Sequence, residues 1–149
     1  MLRPSAGQFR LIECDQTNSA YFAMATILIA DDEVSLRDIM RRILELDGHR
    51  TFEAADGEEA IRKIRTERPD LLLVDLFMPR KEGLETIQQM RKDFPEMKVI
   101  AISGGNPRHG MSFLALAKQF GAHRSLAKPF AMQELRDAVA ELLADKVID

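Results

Sequence analysis

Carboxylates, a hydroxyl and an ammonium group follow successive short apolar runs along this chain. Asp31 and Asp32 follow residues 26–30, and Asp75 follows Leu71, Leu72, Leu73 and Val74. Ser103 follows residues 98–102, and Lys128 follows residues 124–127. If those runs are neighbouring strands, the acids meet at one place, where they repel and raise one another's pKa unless a cation balances them. Three carboxylates against one ammonium leave a net negative charge, which a divalent ion cancels. The donors are hard oxygens, few in number and with room for water, which favours Mg²⁺ over Zn²⁺ or Ca²⁺. An aspartate neutralised by metal can attack phosphorus and form an acyl phosphate. The three oxygens of the incoming phosphoryl group would then be met by Mg²⁺, by the Lys128 ammonium, and by the Ser103 hydroxyl with nearby backbone N–H groups. Gly104 leaves space for that group to enter. Each residue also has a plainer reading: Asp75 as a turn or helix cap, Ser103 as a cap, Lys128 as a surface lysine. Their common placement at strand ends favours the chemical reading.

The elements that must position these side chains are regular from residue 26 onward. Leu71 to Val74 is an uninterrupted apolar run, the mark of a strand buried on both faces, and Pro79 stops the chain from continuing in the sheet. Residues 26–30, 98–102 and 124–127 read as further strands, and the more polar 50–54 as a strand near a sheet edge. Between them, helical spacing connects Val34, Leu36, Ile39, Met40, Ile43, Leu44 and Leu46, closed by Asp47-Gly48. Ala60, Ile61 and Ile64 mark a second helix ending before Pro69, and Gly83, Leu84, Ile87 and Met90 a third ending before Pro95. A fourth spans about 112–120, and the last carries Met132, Leu135, Val139, Leu142 and Leu143. Strand and helix alternate five times, with crossovers long enough for parallel pairing and helices on both faces. This is an α/β domain with a five-stranded parallel sheet, and chemistry in such folds sits at the carboxyl ends of the strands.

Composition agrees. At 149 residues, 46% hydrophobic and 30% charged, the chain suits one globular domain. A net charge of −3 provides no basic field for nucleic acid. The longest apolar run, residues 20–30, is too short to insert across a membrane. A lone cysteine, Cys14, fits a reducing compartment, so the expected location is the cytoplasm. Residues 1–23 show no clean periodicity and read as a flexible N-terminal extension, with the folded domain spanning 24–149.

The motifs Ile27-Leu28-Ile29-Ala30-Asp31-Asp32-Glu33, Pro69 through Pro79, Ala101-Ile102-Ser103-Gly104, and Gly121-Ala122 through Lys128-Pro129-Phe130 resemble the receiver domain of two-component response regulators. The likeness covers about residues 25–146. It implies a flavodoxin-like strand order of 2-1-3-4-5, an order that the general description of doubly wound folds already assigns to a receiver. It also implies that Asp75 accepts phosphate from a histidine kinase or a histidine phosphotransfer protein. Asp32, Asp75 and the Phe77 backbone carbonyl would ligate Mg²⁺, with Asp31 acting through a metal-bound water. Ser103 would swing toward the phosphoryl group, Lys128 would pair with it, and Lys128–Pro129 would be cis. Signalling would pass through protein–protein contacts to a downstream target that the sequence does not name, with homodimer formation left open. Such a domain is a phosphoacceptor that assists its own phosphorylation, not a multiple-turnover enzyme.

Three departures stand out. Ser125 occupies the position where many receivers carry an aromatic residue, residues 104–111 form a longer Gly/Pro/His-rich loop, and the sequence stops after the fifth helix, as expected of either a stand-alone receiver or a fragment of a longer chain. A phosphatase of the haloacid-dehalogenase type is the alternative, but its Asp-x-Asp would stand after the first strand, where this chain has Asp31-Asp32-Glu33. A structural pseudo-receiver is disfavoured because no acidic or basic site residue is missing. His49, His109 and His123 read as surface or turn residues, Met40, Met78, Met90 and Met132 as core, and Arg41, Arg42, Arg62, Lys63 and Arg65 as a solvated helix face. Phe77 is expected to roof the acyl phosphate against water.

Overall fold

The computed structural model describes residues 10–13, 21–78, 83–104 and 113–147. Pro79, residues 105–111 of the long loop, Cys14 and His109 lie outside them. Strands β3 (Thr26–Ala30), β4 (Arg50–Ala54), β5 (Leu71–Asp75), β6 (Lys98–Ser103) and β7 (Arg124–Ala127) alternate with helices α1 (Val34–Leu46), α2 (Gly57–Glu67), α3 (Gly83–Asp93), α4 (Phe113–Gln119) and α5 (Met132–Val147). The strands form one sheet in the order β4-β3-β5-β6-β7, every pair parallel. Counted from the first core strand, this is the implied order 2-1-3-4-5.

The period-2 geometry of β5 explains why its whole run is apolar. Leu71 and Leu73 pack with Met40 and Leu44 of α1 and Leu135 and Val139 of α5. Leu72 and Val74 turn the other way, toward Ile64 of α2, Ile87 of α3 and Ala117 of α4. Both faces are therefore covered, and no residue of β5 is solvent-exposed. The polar strand β4 lies at an edge. Local chemistry sets the crossovers: Asp56 caps α2 by accepting the Glu59 amide at 2.9 Å, and Arg68 ends that helix in the left-handed region at φ 46° before Pro69.

Two short strands precede this sheet. β1 (Arg10–Glu13) and β2 (Tyr21–Met24) pair antiparallel, and β2 lies beside α5. Both fall almost wholly within the segment expected to be a flexible extension.

His49 and His123 sit in corresponding places, just ahead of the two edge strands. His49 Nδ1 accepts the Ala25 amide at 3.2 Å, and His123 Nδ1 accepts the Val99 amide at 3.1 Å. An imidazole nitrogen that accepts must be unprotonated. Burial pushes the His49 pKa below 6.5, against the opposing pull of Asp47 and Asp70. The unfolded chain therefore binds the proton more readily, and stability contributed by neutral His49 is lost as pH falls below about 6.5. Denaturant unfolding from pH 8 downward is expected to show this loss in the wild type and a smaller one in His49→Gln. Parallel pH curves for the two would refute it.

Candidate functional site

The carboxyl edge of the sheet gathers the predicted residues because the register puts them there. Asp75 ends β5 opposite Ile102 of β6, and Ser103 follows opposite Ala127 of β7. Lys128 comes next, and its amide donates to the Ser103 carbonyl at 2.8 Å. Asp31 follows β3 directly, its amide held by the Ala54 carbonyl of β4 at 3.1 Å.

Carboxylate oxygens of Asp31, Asp32 and Asp75 lie within 4.8 Å of one another. Asp31, Asp75 and Ser103 are buried, whereas Asp32 is exposed. The two Asp75 oxygens have different partners. Oδ1 accepts the Phe77 amide at 3.0 Å, and Oδ2 accepts from Lys128 Nζ at 2.9 Å. The same ammonium lies 3.2 Å from Asp31 Oδ2 and 3.9 Å from Glu33 Oε2. Burial pulls the Lys128 pKa down, but the Asp75 hydrogen bond and the Asp31 and Asp75 charges outweigh it, so the ammonium stays above 10.5. Asp31 moves above 3.8 through burial first, reinforced by the Asp75 charge, despite the Glu33 amide on Oδ1 at 2.8 Å.

The arrangement suits a hard cation. Asp31 Oδ2 is buried and, although within ion-pair range of Lys128, receives no hydrogen bond. A buried carboxylate oxygen in that condition is costly unless charge reaches it. The neighbouring donors are all oxygens, the set that Mg²⁺ prefers. The Lys128–Pro129 peptide is cis, as the resemblance implied.

Gly83 has a site role that its place in a helical pattern did not signal. Its amide donates to the Leu76 carbonyl at 3.0 Å, bringing the start of α3 against the end of β5. A Cβ there would stand 2.6 Å from Leu76 Cα and closer still to the Asp75 carbonyl oxygen. Backbone cannot yield as a flexible side chain does, so Gly83→Ala is expected to cost about 1–3 kcal/mol of stability and, if Asp75 is the phosphoacceptor the sequence leads one to expect, to slow its phosphorylation. Urea unfolding and a timed phosphorylation assay check both. A variant matching wild type in each would remove Gly83 from the site.

An open, doubly wound sheet carrying an acidic cluster, a hydroxyl and a lysine at its carboxyl edge defines a phosphorylation-dependent signalling domain. The chain belongs to the response regulator receiver domain family, whose model matches residues 27–140. Sporulation initiation phosphotransferase F of Bacillus subtilis is 33% identical over 117 residues, 78% of this chain and 92% of that protein. Response regulator MprA of Mycobacterium ulcerans is 35% identical over 78% of this chain, which spans only 49% of MprA. Among solved structures, a CheY-like receiver domain protein of Methanospirillum hungatei superposes with a TM-score of 0.75 at 29% identity, over 83% of this chain and 96% of that one. A receiver domain protein of Clostridium thermocellum gives 0.76 at 28%, over 84% and 98%. Nothing in these likenesses supports the phosphatase alternative. No described helix is long and apolar enough to cross a membrane.

Proposed function

We propose that Asp75 accepts a phosphoryl group from a phosphohistidine on a histidine kinase or histidine phosphotransfer protein, with Mg²⁺ bound by Asp32, Asp75 and the Phe77 backbone carbonyl and with Asp31 acting through a water. The observation that carries this reading is the Lys128 ammonium held between Asp75 and Asp31 at 2.9 and 3.2 Å. In transfer, the phosphorus–nitrogen bond of the donor breaks and a bond from an Asp75 carboxylate oxygen to phosphorus forms. Lys128 then exchanges its carboxylate partner for a phosphoryl oxygen, and Ser103 turns its hydroxyl toward another. Bound Mg²⁺ supplies charge neutralisation for the in-line displacement. The phosphoryl group binds one conformation better than the other and shifts the population. The product is a signalling state rather than a released compound, so the chain is not a multiple-turnover enzyme.

A donor needs a surface beside the acceptor. Val34 and Ile39 on α1 are 66% and 47% exposed, and a cleft of about 390 Å³ runs from Leu36 and Ile39 to Lys128, Pro129 and Phe130. We place donor docking there. The name phosphotransferase borne by the Bacillus relative supports a relay role; the cytoplasm is its proposed location and a protein its proposed downstream target. A homodimer remains compatible with this role.

Incubation with Mg²⁺ and a small phosphodonor, read by intact mass, tests the proposal: one phosphoryl group is expected, and none after chelation. Phe77, 43% exposed two residues past the acceptor, is the proposed roof over the acyl phosphate. Phe77→Asn is therefore expected to shorten its lifetime several-fold by admitting water, and equal decay rates would dismiss the roof.

A further inference from the structure

The turn that carries Asp31 and Asp32 is gripped from behind by a residue outside every motif described above. Arg37 Nη1 donates to the Asp31 backbone carbonyl at 2.7 Å, and its Nε donates to Glu53 Oε1 on β4 at 2.9 Å. The Arg37 side chain is only 15% exposed, so the fork is set among its partners rather than waving in solvent. Its backbone is fixed too, because the Arg37 amide donates to the Glu33 carbonyl at 3.0 Å. Glu53 is anchored in turn: Lys63 Nζ donates to its carbonyl, and Arg41 Nε lies 3.6 Å from Oε2. A planar guanidinium holding two acceptors fixes direction as well as distance.

The bond to Asp31 is to the carbonyl that leads into Asp32. Orienting that carbonyl orients the peptide plane, and with it the origin of the exposed Asp32 side chain. We propose that Arg37, locked by Glu53, is a positioning residue that presents the Asp31-Asp32 pair to a divalent cation. This inference rests on the reading of that pair as the Mg²⁺ site. Groups that orient metal ligands without touching the metal typically alter affinity by about 10–100-fold when removed.

Charge and positioning predict opposite signs here. Removing a cation beside an acidic cluster would, by Coulomb attraction alone, tighten Mg²⁺ binding. Losing the positioning bond would weaken it. Calorimetric titration of Mg²⁺ into the metal-free full chain separates the two. Arg37→Met keeps the aliphatic stem and is expected to weaken binding about tenfold. Arg37→Lys keeps the charge but cannot hold both acceptors, and is also expected to bind more weakly than wild type. Glu53→Ala unties Arg37 from β4, whereas Glu53→Gln removes the same charge but keeps an oxygen for Arg37 Nε; Glu53→Ala should therefore bind more weakly than Glu53→Gln, and this pair serves if Arg37→Met does not fold. A merely structural role would lower the metal-free melting temperature while leaving the Mg²⁺ dissociation constant unchanged. Unchanged or tighter binding in Arg37→Met, or, if that variant does not fold, equal binding in Glu53→Ala and Glu53→Gln, overturns the proposal. A wild type that binds no Mg²⁺ overturns the metal reading, and the positioning role with it.

Discussion

Intact-mass measurement of the Asp75→Ala chain, incubated with Mg²⁺ and a small phosphodonor, is expected to show no added phosphoryl group, a loss on the order of a thousandfold or more in rate. The acids nearby are poor substitutes for different reasons. Asp31 is fully buried, with Oδ1 committed to the Glu33 amide and Oδ2 beside Lys128. Asp32 is exposed, and under the proposed metal reading it is a ligand rather than a nucleophile. Asp75 is less buried than Asp31 and accepts a direct hydrogen bond from the ammonium, with Oδ2 on Lys128 Nζ at 2.9 Å and Oδ1 on the Phe77 amide, the state from which Lys128 can follow the incoming charge. Asp75→Asn is the companion variant, because its carbonyl can still accept the Phe77 amide and preserve the end of β5. Both should be unphosphorylated, and the wild-type adduct should be released by hydroxylamine, as an acyl phosphate is. An adduct persisting in either variant would place the acceptor elsewhere.

Much of this site was legible in sequence because one physical fact links strand and chemistry. A strand buried on both faces must be apolar throughout, so the first polar or charged residue after it marks the carboxyl edge. Leu71 to Val74 ending at Asp75 is that pattern, and the run ending at Lys98-Val99-Ile100-Ala101-Ile102-Ser103 repeats it. The edge strand β4 was visible for the converse reason, since Arg50 and Glu53 are tolerable only where one side meets water. Contacts made across the fold left no such trace. Nothing in the spacing of Arg37 and Glu53 shows that they share a hydrogen bond. Gly83 reads as an ordinary first residue of a helix, and only the approach of its backbone to Leu76 shows why a side chain is excluded. The β1–β2 pair escaped because four-residue strands carry too little alternation to read, and Tyr21 to Met24 merges with β3 into one apolar run. In sequence His49 and His123 look like surface or turn residues, but their role as acceptors for the Ala25 and Val99 amides depends on tertiary contacts.

The acidic pair should also cost the metal-free protein stability, and Asp31→Asn is expected to recover it. Asp31 is buried, and burial together with the Asp75 charge raises its pKa in the folded state. The folded chain therefore binds that proton more readily than the unfolded chain. The resulting penalty is present at neutral pH and is relieved as pH falls through the raised value. Asparagine retains the oxygen that accepts the Glu33 amide and removes the charge, while Lys128 keeps its 2.9 Å bond to Asp75. In chelator at pH 7 the variant is expected to be about 0.5–2 kcal/mol more stable, with the gap closing as pH falls. On the proposed metal reading, saturating Mg²⁺ should narrow or reverse the gap, since the wild type would hold the ion more tightly than a variant lacking the Asp31 charge. Urea unfolding in chelator and in Mg²⁺ measures both halves. An Asp31→Asn chain no more stable than wild type in chelator would mean that Lys128 already offsets the buried charge, leaving no electrostatic strain for a metal to relieve.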